Sequence, residues 1–375
     1  MTRFHVLFLT IAFVTAPGCV LSVGDDAPPG DDSGGDDAPD DPDFRCEGSS
    51  PAHETFNAFW TTFHRHYAVF DLRLPAGTSW KEIGEAACDD VSDDMSDDEL
   101  YDVLLGMAQE LDDGHTTLFA DDLGRDEDAE VTVYPYYDQL YTLEDVVEAE
   151  YLDDDFTTAA EDEISWATIG TIGYISITSM DELSASGDED DDVAAARAGM
   201  AEAMSDLADL DGIIVDIRAN EGGWDAVSLE IAAWFGGPRT VAWSEQVRDG
   251  PDYDDLGEPV ETYVDATRPG GFDGPVVVLT SGGTYSAAET FGLAMMVRDD
   301  VTFLGERSSG HLSDMIEATL PNGWELTYSG ERYIAADGEV YEVVGLPVDI
   351  AMNLDLAALA AGRDTMFEAA LEELE

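Results

Sequence analysis

The sequence predicts an α/β fold with a largely parallel sheet and a helical prefix, on three observations. Residues 275–279 and 212–217 are short, continuous apolar runs rich in β-branched side chains, the pattern of strands buried on both faces. Residues 172–177 form a third such run, joined to the second by a helix-forming stretch at 193–210, which gives the strand-helix-strand alternation of a parallel sheet. Ahead of them, Phe56, Phe59, Trp60, Phe63 and Tyr67 recur at three- and four-residue spacings within a helical pattern that runs from 51 to 110.

Taken in order, the chain opens with Arg3 and an apolar run at 4–16, too short to span a membrane and suited to a signal peptide. The run ends in Ala16-Pro17-Gly18-Cys19, which resembles a bacterial lipobox and makes Cys19 the expected lipidation site, with 1–18 removed. Residues 19–48 are dominated by Asp, Gly and Pro and read as an extended tether to a bacterial envelope membrane. In an exported protein Cys46 and Cys88 either pair or stay as separate buried thiols. Residues 49–118 are expected to form a helical subdomain, and 119–168, with strands expected at 131–134 and 164–166, a small β-rich insert before the core at 169–375. Asn322-Gly323 marks a hairpin turn late in that core.

Charge is the compositional anomaly. Against 84 acidic residues stand 15 basic ones, a net charge of −69. Lys81 is the single lysine, and most of the acidity lies outside the tether. Such a surface excludes nucleic acid as a partner and suits work in high salt, where self-repulsion is screened.

Chemistry gathers where strands hand over to helices. The run at 275–279 is broken by Thr280-Ser281-Gly282-Gly283-Thr284-Tyr285-Ser286, after which Ala287 to Met296 reads as a helix. Ser286 therefore falls at a helix N-terminus, where free backbone N–H groups favour a developing oxyanion. An ordinary N-cap serine would occupy the same place. The run at 212–217 is likewise followed by Ala219-Asn220-Glu221-Gly222-Gly223-Trp224, and the helical prefix by Asp112-Asp113-Gly114-His115-Thr116-Thr117. No H-E-x-x-H pattern or other metal-ligand spacing is present, and no metal or cofactor is expected.

The segment 280–289, followed by Phe303-Leu304-Gly305-Glu306-Arg307-Ser308-Ser309-Gly310, resembles the nucleophile region of the C-terminal processing (tail-specific) serine peptidases, a superfamily with tricorn-core and interphotoreceptor retinoid-binding-protein branches. The Asn220 to Gly223 turn, the Asp113-Gly114-His115 turn and the stretch from Glu342 to Asp349 resemble further elements of the tricorn-like branch. The resemblance implies a crotonase-like ββα-superhelix core. The 119–168 stretch is too short for the PDZ domain many members carry.

It also implies acyl-enzyme cleavage of polypeptide, with Ser286 as nucleophile, His115 as base, and oxyanion donors from Ala287 and Gly222 or Gly223. A Ser/Lys dyad is impossible, since Lys81 lies in the prefix and His311 falls near where the dyad lysine would be. Glu342 is the expected orienter of His115, with Glu289 as competitor because it follows Ser286 by three residues on one helix face. Gly114 stands where the tricorn-like site has a relay serine, so that member is missing or supplied by Thr116 or Thr117. The rival expectation is a lipoprotein that kept the fold, lost the chemistry and binds peptides or apolar ligands.

Overall fold

The computed structural model describes residues 44–152 and 156–375. Cys19, the expected signal segment and most of the expected tether lie outside the described residues. Among the described residues no helix is long and apolar enough to cross a membrane.

The central sheet has seven strands, in spatial order Ile350–Ala351, Val301–Gly305, Val276–Thr280, Gly212–Asp216, Ile172–Ile177, Ile164–Ile169 and Thr157–Ala159. The first five are parallel and the last two antiparallel additions. Alternation along each strand explains the continuous apolar runs. Ile213, Val215, Val276 and Val278 face a core shared with helices Glu189–Leu207, Asp225–Ala232 and Ala287–Met296, whereas Ile214, Val277 and Leu279 face Val147, Met366 and Phe367 on the other side. Arg218, buried just past the end of its strand, is bonded to Asp216 and to Asp364 at the N-cap of helix Thr365–Leu374, which ties the C-terminal helix to the sheet.

The aromatic stripe of helix Pro51–His66 packs with Trp80, Leu100, Tyr101 and Leu104 in a second core. That core extends onto Leu118, Leu326 and Tyr328 in a four-stranded sheet ordered Met315–Thr319, Glu325–Ser329, Thr117–Ala120, Arg125–Asp128. The Asn322-Gly323 hairpin is thus the platform on which the helical prefix docks. Cys46 and Cys88 form a disulfide across this prefix.

Residues 119–168 do not make a separate β insert. They are divided between the four-stranded sheet, helices Tyr137–Leu140 and Leu143–Tyr151, and strands of the central sheet, because Ile164–Ile169 pairs along its length with Ile172–Ile177. Residues 131–134 are irregular rather than a strand: Asp112 accepts the N–H groups of Val131 and Thr132 and takes the backbone out of any ladder.

Candidate active site

Ser286 occupies the junction between strand Val276–Thr280 and helix Ala287–Met296 with φ 53° and ψ −124°, a conformation L-residues rarely adopt. An ordinary N-cap has extended backbone and a side chain bonded to the first turn. Ser286 has neither, and its side chain makes no capping bond. Among the described residues the hydroxyl has no hydrogen-bond partner, and it stands at the carboxyl edge of a parallel sheet, the customary place for a site in such folds.

Gly222 is the reason the turn can close on Ser286. A Cβ added there would stand 2.6 Å from Ser286 Cβ and 2.9 Å from Ala287 N, and its φ is +106°. Asn220 fixes this approach: its side-chain oxygen accepts the Gly222 N–H at 2.9 Å and its carbonyl accepts the Tyr285 N–H at 3.1 Å. The Gly222 N–H is therefore spoken for. Ala287 N–H and Gly223 N–H make no hydrogen bond among the described residues, so of the two glycines Gly223 is the one with a free donor.

His115 is brought against this junction by the turn after the helical prefix. Its ring meets Tyr285 edge-on, with centroids 5.1 Å apart, next to Ser286 in sequence. Burial pushes its pKa down to about 4, opposed by the Asp113 carboxylate and reinforced by Arg73, with the Ser313 backbone favouring the protonated ring.

Neither expected orienter hydrogen-bonds the His115 ring. Glu342 accepts from Arg73 and from the N–H groups of Leu312 and Ser313, at 2.8 and 3.1 Å. Glu289 turns from Ser286 toward residues 308–311, accepting from Ser308 and Ser309 hydroxyls and from Gly310 and His311 N–H groups. Burial raises its pKa to about 7, against those donors.

The carboxylate coupled to His115 is Asp113. It is fully buried, accepts the His115 backbone N–H at 3.0 Å and is held by Tyr67 and Ser329 hydroxyls at 2.6 and 2.7 Å. Burial alone would raise its pKa, but Arg73, 3.7 Å away, together with the two histidines, holds it well below the usual carboxylate range. Arg73 in turn is kept charged, Asp113 and Glu342 outweighing its burial.

The relay position is filled from elsewhere. A Cβ on Gly114 would lie 2.2 Å from the Tyr285 hydroxyl, so Tyr285 occupies the room a serine would need. Thr116 and Thr117 bond Asp113 and Asp128 instead. Arg73, Asp113 as counter-charge and Tyr285 were missed as site members by reading the sequence. A signal existed only for Asp113, in the turn that carries His115. Among the described residues no group of three or more His, Cys, Asp or Glu could hold a metal ion.

Residues 171–352 match the family model described as Peptidase family S41. That stretch belongs to the S41 peptidases. The span runs from the first parallel strand to the last and holds Ser286, both glycines and Glu342, but not His115. A structure from Parabacteroides merdae, provisionally classed as a peptidase, is similar at 25% identity and TM-score 0.70, over 87% of this chain and 97% of its own. The photosystem II D1 C-terminal processing protease has the same fold at 15% identity and TM-score 0.50, over 82% and 94%. A lipoprotein from Streptococcus agalactiae matches at 12% identity and TM-score 0.54, over 88% and 98%. The last two likenesses concern fold alone. No curated protein matches the sequence. The S41 core and its fold are those of peptidases.

Proposed function

We propose that this S41 protein is a serine endopeptidase that cleaves unstructured or C-terminal polypeptide segments through an acyl-enzyme on Ser286. The observation that carries the reading is the strained backbone of Ser286, with Gly222 packed against it and the Ala287 N–H free beside it. Ser286 Oγ attacks the scissile carbonyl as its proton passes to neutral His115. The oxyanion is received by Ala287 N–H and Gly223 N–H. Collapse expels the amine with the proton from His115, and water repeats the sequence in reverse to free the acid. Asp113 supplies the negative charge that stabilises the transient imidazolium. Glu342 acts one step removed, by holding Arg73 and the backbone at 312–313.

The setting we propose is the bacterial envelope, with Cys19 lipidated and the acidic tether carrying the enzyme away from the membrane. A fluorophosphonate probe at molar salt tests the chemistry. Peptide mapping is expected to place the adduct on Ser286, with Ser286→Ala unlabelled and His115→Ala slower by at least about a hundredfold. The double variant should lose little more than either single one in peptide hydrolysis, because such groups act as a unit. A folded protein that takes no label and binds peptides equally with and without Ser286 would instead be a binding protein on a peptidase fold.

A further inference from the structure

His311 is built into the site with care and then left with nothing to do. Its backbone N–H is accepted by Glu289 at 2.8 Å, and that of the next residue, Leu312, by Glu342 at 2.8 Å, so two buried carboxylates clamp the chain on either side of it. The imidazole is 6% exposed, yet neither ring nitrogen has a hydrogen-bond partner among the described residues. His115 Nδ1 is in the same state. Three orphaned nitrogens thus meet in one buried place, where each would normally be paired or replaced by carbon. The His311 ring stacks on Tyr285 with centroids 4.5 Å apart and planes at 19°, and stands edge-on to His115 with centroids 6.1 Å apart. For packing alone an apolar ring would serve at lower cost.

We propose that His311 is the positioning partner of His115, accepting a hydrogen bond from His115 Nδ1–H in the working complex and thereby aiming His115 Nε2 at Ser286. This inference rests on the peptidase reading given above. In the free protein the ring centroids are 6.1 Å apart and no hydrogen bond joins the two rings, and catalytic bonds commonly tighten only when substrate is bound. With Glu342 and Glu289 both committed elsewhere, the acceptors left beside the His115 ring are the Ser313 backbone and His311, and a neutral imidazole can supply the acceptor that a carboxylate supplies in other triads. When the proton of Ser286 reaches His115, His311 shares the positive charge through that bond without taking the proton.

The groups around the ring favour its neutral form. Burial is the largest influence and lowers its pKa to about 3, with Arg73 and His115 acting in the same sense and Asp113 and Asp112 against. Tyr285 presents a face, and Glu289 and Glu342 are turned to the backbone.

The test is the rate of fluorophosphonate labelling of Ser286 as a function of pH, in the full chain at molar salt, for wild type, His311→Phe and His311→Asn. Phenylalanine keeps the stack on Tyr285 and lacks an acceptor; asparagine offers a carbonyl acceptor and does not titrate. We expect His311→Phe to slow labelling by about a hundredfold and to move the acid limb of the profile to lower pH, with His311→Asn recovering about tenfold. Equal losses in the two variants with an unmoved acid limb, or a His311→Phe rate equal to wild type, overturn the proposal. Should both variants unfold, nitrogen-15 NMR of the labelled wild type decides. A hydrogen-bonded His115 Nδ1–H proton coupled to a His311 nitrogen supports the pairing, and its absence refutes it. A wild type that is folded and never labels removes the peptidase reading, and this inference with it, whereas labelling insensitive to His311 removes the inference alone.

Discussion

Arg73 bonds Glu342 through Nε at 3.1 Å and Nη2 at 2.5 Å, joining residues 269 positions apart. The same guanidinium lies 3.7 Å from Asp113 and donates to the carbonyls of Asp112 and Gly310. One cation therefore locks the turn that carries His115 to the loop that carries His311. Arg73→Met would leave two buried carboxylates without a counter-charge and is expected to cost about 3–5 kcal/mol of stability. Glu342→Gln leaves Arg73 paired with Asp113 and should cost about 1–3 kcal/mol, with less than a tenfold loss of kcat. Denaturant melts alongside peptide hydrolysis check both. A loss of several orders in kcat with unchanged stability would make Glu342 the orienter after all.

The backbone at Ser286 yields a second expectation. Its conformation costs on the order of 1–3 kcal/mol in a residue with a Cβ, and Gly relieves most of that at some expense in unfolded-chain entropy. Ser286→Gly should therefore be more stable than wild type by roughly 1 kcal/mol while losing all labelling. Calorimetry at matched salt measures the gain. A destabilised Ser286→Gly variant would mean that the turn carries no strain.

Acid tolerance is the third. The His115 pKa falls from 6.5 to about 4 on folding, so the base stays neutral and activity should persist well below pH 6, falling only near pH 4. Between those values the unfolded chain binds the proton and the fold does not, so this group subtracts stability as pH drops from 6.5 through 4.

Half-buried Asp225 runs the other way. It accepts from Thr290 and Tyr333 hydroxyls, and burial raises its pKa from 3.8 to about 7. The fold holds a proton there that the unfolded chain releases, so its contribution is full below 3.8 and disappears as pH rises toward 7. Melting temperatures of Asp225→Asn should decline less than those of wild type across that window. Parallel curves would refute the shift.

Salt sets the fifth expectation. With a net charge of −69, stability should climb steeply as ionic strength rises toward about 1 M, where the screening length falls from about 10 Å to about 3 Å. Thermal melts across a salt series measure this, and a flat response would dismiss the high-salt reading.

The sequence by itself determined the parts that depend on neighbours along the chain. Runs such as residues 276–279 show as strands because both faces are buried and every side chain must be apolar. Ser286 and the Gly222-Gly223 turn show because a strand-to-helix junction carries a local signature, and the stripe from Phe56 to Tyr67 because helical spacing is local too. Tertiary structure alone decided what each polar group does. Whether Glu342 met His115 or Arg73 depended on a buried cation from a four-residue helix far upstream, with no pattern to announce it. Tyr285 came to fill the room at Gly114, and His311 to face His115 unbonded, because separate turns close on one point. Buried charges pair with whatever opposite charge the fold delivers, and spacing along the chain carries no record of that choice.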